Sequence, residues 1–270
     1  VGSDSLYNNT ASNNTAVGYR SGFTNTTGAN NVSVGKQSLN DNTTGSSNTA
    51  IGVEALIQNT TASENTAVGY QAGYSNTTGT AMTAIGYKAG YANTTGADLT
   101  AIGWQAGVAS TGANNTFVGS QAGIANLAGS ENTFVGRISG DANTDGAQNA
   151  AFGYWSLSDN TTGSFNVALG SSALKSNTTA SNNTAVGYQA GYSNAGADNT
   201  AVGSGSLYYN TSGYSNTAVG HNALSANTTA INNTAVGKGA GIAECQFGAQ
   251  KTALSAAQTN EQSCRSRALF

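Results

Sequence analysis

A five-residue pattern of alternating polar and apolar positions recurs along almost the whole chain. Its commonest form is Asn-Thr-Ala-Val-Gly, and fourteen copies each end in a glycine. Eleven of the thirteen intervals between these glycines are seventeen residues and two are sixteen. A period this short cannot hold a helical hairpin, which takes about 33 residues or more in helical repeat arrays, but it suits one coil of a β-solenoid.

We therefore predict an all-β fold, a parallel β-solenoid (β-roll) of about fourteen 17-residue coils. The repeat domain covers residues 1–243, and a short irregular C-terminal segment, residues 244–270, is predicted to cap or join the array. At about 4.8 Å per coil, fourteen coils would form a rod roughly 65–70 Å long.

The alternation of side chains along a strand separates the pentad into two faces. Its Thr and its aliphatic residue (Val17, Val68, Val135 and their equivalents) share one face, and the residue between them lies on the other. We assign the aliphatic row to the core, which places a mostly alanine row outside. Such a row is a poor solvent face and packs closely, so we predict that another copy of the chain covers it. This predicted assembly face consists of Ala16, Ala50, Ala67, Ala84, Ala101, Phe117 and Phe134.

The positions after the pentad glycine indicate tight packing. Only Ala or Ser occurs three residues after it, and only Gly or Leu four residues after it. Where Gly stands there, the next residue is apolar in seven of eight coils. We predict one cavity per coil, filled by the Leu or, after a glycine kink, by the following side chain.

Two asparagine rows frame each coil, one opening the pentad and one opening the Thr-Thr-Gly turn. Stacked asparagines can form hydrogen-bonded ladders along the axis. The turn row also contains N-glycosylation sequons, although Asn-Thr-Thr is itself good turn chemistry and neighbouring glycans would lie only about 5 Å apart. The sequon asparagines are Asn25, Asn42, Asn59, Asn76, Asn93, Asn160, Asn177, Asn210 and Asn227.

Composition narrows the classes of function. Charged residues make up 8% of the chain against about 25% in ordinary domains, proline is absent, and the net charge is −3. Without a basic stripe we expect no nucleic-acid binding, and without an apolar run of about 20 residues we expect no membrane insertion. Cys245 and Cys264 lie outside the repeats; they could form a disulfide, typical of an oxidising extracellular compartment, or remain free thiols.

Enzymatic and metal-binding constellations are missing from the sequence. The single His221 has no nucleophile or metal partner in the pattern, the twelve Asp and Glu residues are scattered, and no calcium or phosphate-loop motif occurs. We predict no enzyme, no cofactor and no metal. A partial aromatic row one residue after the glycine could stack on sugar rings, or simply pack laterally. Its members are Tyr19, Tyr70, Tyr87, Trp104, Tyr154 and Tyr188.

The chain ends suggest a way of joining subunits. Val1-Gly2 already occupies the last two positions of a pentad, and Ala268-Leu269-Phe270 followed by Val1-Gly2 would read Phe-Val-Gly, as at Phe117–Gly119. This predicts that the C-terminal segment of one subunit completes the first coil of the next, giving a head-to-tail filament.

The segment Asn65–Gly79, and in part Asn183–Asn194, resembles the repeats of phage tail-fibre and bacterial surface fibre proteins. The pentad is also similar to the head repeat of YadA-type trimeric autotransporter adhesins, a left-handed β-roll assembled as a trimer. The resemblance covers about residues 1–243. It implies a structural subunit of an extracellular fibre, stalk or filament at a virion or cell surface, whose partners are copies of itself in a trimer or a head-to-tail filament. The alternative is an adhesin or receptor-binding module that recognises glycans, or ice, on a flat repetitive face.

Overall fold

The chain folds into short parallel strands, one per repeat. The structure, a computed structural model, describes residues 2–241 and 251–253, and no helix occurs among them. The strands are β1 (Thr15–Val17), β2 (Val32–Val34), β3 (Thr49–Ile51), β4 (Thr66–Val68), β5 (Thr83–Ile85), β6 (Thr100–Ile102), β7 (Thr116–Val118), β8 (Thr133–Val135), β9 (Ala150–Phe152), β10 (Val167–Leu169), β11 (Thr184–Val186), β12 (Thr200–Val202), β13 (Thr217–Val219), β14 (Asn233–Val236) and β15 (Lys251–Ala253).

The strands belong to two compact units, Val1–Asp145 with β1 to β8 and Gly146–Phe270 with β9 to β15. Within each unit every strand pairs in parallel with the next in chain order, as Thr66 with Thr83. The two shortened repeats keep this register, since Thr100 pairs with Thr116 and Thr184 with Thr200. The predicted all-β parallel solenoid with coils of about 17 residues is confirmed.

The segment 244–270 contributes one strand to what the structure describes. β15 pairs in parallel with β14, with Asn233 opposite Lys251. The remainder of that segment, with both cysteines and the Ala268–Phe270 end, lies outside the described residues, as does Val1. The disulfide and the head-to-tail junction therefore stay predictions.

The glycine that closes each pentad fixes how closely the coils stack. Gly69 has a φ of 136°, a left-handed conformation that favours glycine, and Gly86 has 134°. A Cβ atom at Gly69 would also collide with the backbone carbonyl of Gly86 in the next coil. Glycine is required here twice over, because the backbone conformation and the distance between coils both exclude a side chain.

In strands β1 to β14 the Ala, Ser or Phe before the last residue points into the coil and the last residue points out, which reverses our assignment from the sequence. Ala84 is fully buried, whereas its neighbour Ile85 is 37% exposed. The interior beside the strands is already occupied by buried Ala or Ser residues and asparagine ladders, so the inward row consists of small residues except at Phe117 and Phe134, where facing glycines make room.

The predicted assembly face is wrong for the same reason. Its members Ala50, Ala67, Ala84, Ala101, Phe117 and Phe134 are completely buried inside their own chain, and Ala16 in the first strand is half-buried. Another copy of the chain cannot cover a row that the coil itself encloses.

One core position holds either leucine or glycine, but where it holds glycine the cavity is filled by a different side chain from the one we predicted. Leu39 and Leu56 fill the core despite φ values of 51° and 50°. Where glycine stands instead, it makes room for a large side chain of the strands: a Cβ at Gly123 would lie 2.6 Å from Cδ1 of Phe117. The following side chains do not fill the cavity. Tyr74 and Tyr91 are half-buried and stack on each other, with ring centroids 4.9 Å apart.

Both predicted asparagine ladders are present and buried. In the turn row, Nδ2 of Asn42 donates to Oδ1 of Asn25 in the preceding coil (2.6 Å) and to the carbonyl oxygen of Gly45 (2.9 Å). In the pentad row, Oδ1 of Asn48 accepts from the backbone N–H of Asn65 (3.0 Å). Because buried polar groups are costly unless they are paired, the ladders tie each coil to its neighbours.

The ladders are incomplete where other residues interrupt the rows. Met82 and Leu99 take the place of asparagine in the pentad row, and Nδ2 of Asn93 contacts Sδ of Met82 at 3.7 Å. Among the described residues, Oδ1 of Asn76 and Oδ1 of Asn93 have no hydrogen-bond partner. These coils keep the fold with fewer polar contacts between neighbours.

Candidate functional site

The outward face of the strands is the most regular surface of each unit. It consists of the Thr row and the aliphatic row, as in Thr66 and Val68, and we call it the TxV face. None of the strands β1 to β14 contains a charged residue. Six aliphatic or aromatic members of its second row are exposed, and the others are half-buried. The exposed members are Val17, Ile51, Ile85, Phe152, Leu169 and Val236. Each unit therefore presents an uncharged, partly apolar strip.

The aromatic row lies beside the TxV face, one residue beyond the pentad glycine. In the first unit its rings stack coil upon coil, with centroid distances of 5.4 Å from Tyr70 to Tyr87 and 6.3 Å from Tyr87 to Trp104. Nζ of Lys88 lies 5.6 Å from the ring centroid of Tyr87. The lateral packing expected from the sequence accounts for these contacts, and one edge of the stack remains exposed.

The aromatic row is interrupted in the second unit. Tyr188-Gln189 in one coil is followed by Ser204-Gly205 in the next and by His221-Asn222 in the one after. The small residues leave a recess of about 280 Å³, with Tyr188 and Tyr209 exposed at its walls. Our sequence analysis named Tyr188 but missed the other residues of the recess. The signal was present as the pair Ser204-Gly205, two small residues at the positions that Tyr188-Gln189 occupies in the preceding coil.

One tyrosine at this recess, Tyr208, is favoured in its neutral form. Burial raises the pKa of Tyr208 above its usual value of 10.0, and the neighbouring phenols of Tyr192, Tyr209 and Tyr188 raise it further. Tyr208 stacks on Tyr192 with centroids 5.0 Å apart and meets Tyr209 edge to face at 4.5 Å. These stacked and edge-to-face contacts hold the rings of the cluster against one another.

The sequon asparagines are inside the coil. All nine are buried, and the atom that would carry a glycan is engaged: Nδ2 of Asn177, for example, donates to Oδ1 of Asn160 and to the carbonyl oxygen of Ala180, both at 3.0 Å. The structure contradicts N-glycosylation of the folded chain at these positions and supports the turn-chemistry explanation. The physical reason is that the turn asparagines build the core ladder.

Other candidate chemistry is sparse in the described part of the chain. His221 is exposed, as expected of a surface residue. Within residues 2–241 and 251–253, no group of three or more His, Cys, Asp or Glu side chains could hold a metal ion. Over the same residues no helix is long and apolar enough to cross a membrane.

The chain stands apart in comparisons with known proteins. No protein-family model, no curated protein and no solved structure matches it.

Proposed function

We propose that the chain is a structural subunit of an extracellular fibre, stalk or filament at a virion or cell surface, assembled by packing against copies of itself. The observation that supports this most directly is the TxV face, an uncharged strip with exposed Ile51 and Ile85 in one unit and exposed Phe152 and Leu169 in the other. Apolar strips of this kind on soluble proteins mark surfaces that a partner covers. A repetitive sheet face is matched best by another repetitive sheet face, so the partner is a second copy.

The internal construction suits a structural role. Each coil is held to the next by backbone pairing and by buried asparagine bonds, and the core has little room for rearrangement. Stiffness of this kind comes from many equivalent contacts along the axis. The scaffold role requires no catalytic group.

The experiment places charges on the TxV face. Ile85→Lys with Val118→Lys should leave the coils folded, because both side chains are partly exposed, and should shift the protein to monomers. The control is Thr78→Lys with Thr95→Lys, which adds the same charge on exposed turns. Analytical ultracentrifugation and negative-stain electron microscopy would measure the assembly. A monomeric parent protein, or an Ile85→Lys, Val118→Lys variant that assembles like the parent, would refute the proposal.

A second candidate function, recognition of a periodic ligand such as a glycan chain or ice, rests on a different observation. The Thr row and the aliphatic row both face outward and repeat at the coil spacing, as in Thr83 and Ile85. Glycan-array and ice-recrystallisation assays on the parent protein would test it. Saturable binding that the Ile85→Lys, Val118→Lys variant loses would favour this candidate, provided that the parent is monomeric.

A further inference from the structure

Gly205 is the residue that opens the recess in the second unit, because it has no side chain to fill the space beside Tyr188. Gly205 has a φ of 65°, and a Cβ atom there would collide with Oδ1 of Asn222. The side chain of Asn222 thus occupies space that a residue at position 205 would claim. Tyr188 and Asn222 are two coils apart, about 10 Å along the axis, and the gap between them forms the recess.

Three tyrosines line the recess, namely Tyr188, Tyr208 and Tyr209. Tyr188 and Tyr209 are each 57% exposed, and Tyr209 is braced edge to face by Tyr208, which stacks on Tyr192. Exposed, braced rings present apolar faces at low cost in conformational entropy. Ligands with one apolar face and polar edges suit such walls.

Four polar side chains complete the lining, namely Gln189, Asn222, Ser204 and Ser225. None of their side chains forms a hydrogen bond with another residue that the structure describes. In the first unit the equivalent side chain has a partner: the amide of Gln71 donates to Oε2 of Glu54 at 2.7 Å. Two amides and two hydroxyls offer both donors and acceptors, and no charged side chain lines the recess.

We propose that this recess binds one neutral sugar ring, with an apolar face of the ring against tyrosine and its hydroxyls bonded to the Gln189 and Asn222 amides. A volume of about 280 Å³ is just below the usual range of small-molecule pockets, which fits a single ring and not a drug-sized ligand. The absence of charge from the lining favours a neutral sugar over an acidic one. This site goes beyond the fibre proposal, and it involves positions of the coil other than the TxV face.

Methyl glycosides of glucose, galactose, mannose and N-acetylglucosamine are the probes, titrated into the full chain and followed by nuclear magnetic resonance. At least one should give saturable shifts of the side-chain amide signals of Gln189 and Asn222. Tyr188→Ala should weaken that binding by about three- to tenfold, the loss expected for one aromatic contact. The matched control is Tyr70→Ala, the same change in the same row of the first unit, which should leave binding unchanged.

A second variant fills the recess with residues that the fold already accepts. Ser204→Tyr with Gly205→Gln restores the Tyr-Gln pair of the preceding coil, and Gln189 itself has a φ of 54° at the equivalent position. The Asn222 side chain must rotate away from position 205, which its flexible end allows, so this variant should stay folded and lose sugar binding. The proposal is overturned if no glycoside gives saturable shifts, if the filled variant binds like the parent, or if only the acidic sugar N-acetylneuraminic acid binds.

Discussion

Ala84 and Ile85 are adjacent in one three-residue strand, yet Ala84 is fully enclosed by the coil and Ile85 lies on its outer surface. The small residue is inside because the interior beside it is already filled by other buried side chains. The larger residue is left for the surface, where it gives the TxV face its apolar character. This inversion of the usual pattern governs how the chain should respond to substitution.

The first prediction compares the two sides of this strand. Ala84→Ile should lower the free energy of unfolding by about 1–3 kcal/mol or more, since the packed interior has no space for three further carbon atoms. Ile85→Thr should cost about 1 kcal/mol or less, because a β-branched residue of similar shape remains on the surface. Thermal and denaturant unfolding of both variants would measure the difference. Equal destabilisation would mean that the interior is wider than the structure indicates.

The second prediction concerns the turn-row ladder. Asn42→Ala removes the bonds of Asn42 to Asn25 and Gly45 and leaves Nδ2 of Asn59 without its 2.8 Å acceptor. Because several buried polar groups lose hydrogen-bond partners, the free energy of unfolding should fall by about 2–4 kcal/mol. Thr61→Ala, on an exposed turn residue, is the control and should stay within about 0.5 kcal/mol of the parent. The denaturant midpoints of the two variants measure this difference. Similar midpoints would rule out a stabilising ladder.

The third prediction tests the exchange between glycine and large side chains. Phe117→Ala should cost about 3–5 kcal/mol through the cavity it leaves, and Gly123→Leu alone should be disruptive because its Cβ would collide with the Phe117 ring. The double variant should recover part of the loss, since Leu39 and Leu56 adopt the required backbone conformation. Unfolding measurements on the four proteins form a double-mutant cycle. Additive losses would disprove the exchange.

The fourth prediction concerns alkaline pH. Burial raises the folded-state pKa of Tyr74 and of Tyr208, with further contributions led by Tyr91 and Tyr192 respectively. A group whose pKa is raised on folding stabilises the fold fully below its unfolded pKa, here about 10, and this contribution disappears as the pH rises through the folded value. Thermal stability should thus decline above pH 10, and less so in a Tyr74→Phe, Tyr208→Phe variant.

The absorbance of tyrosinate provides the independent check. At least two of the twelve tyrosines should ionise later than the rest, and both late transitions should vanish in the double Phe variant. A single transition for all tyrosines near pH 10 would contradict the prediction.

The sequence by itself determined the repeat, the solenoid and the parallel pairing. The recurring pentad glycine sets the coil length, and the turn asparagines specify ladders because they return at the same place in nearly every coil. The sequence also separated the Ala row from the Val and Ile row, since alternation in a strand places neighbours on opposite faces. Interior Ala and Ser three residues after the pentad glycine, such as Ala72 and Ser38, were likewise predictable from their uniform small size.

Only the tertiary structure decided which of the two rows is inside. Alternation is symmetric, so it cannot say whether Ala67 or Val68 faces the core, and a general preference for burying large apolar residues chose wrongly. The deciding factor is the space left inside the coil, which buried Ala or Ser residues and the asparagine ladders occupy beside the strands. The recess at Gly205 was also decided only by the tertiary structure, because its walls come from separate coils and exist only once those coils are stacked.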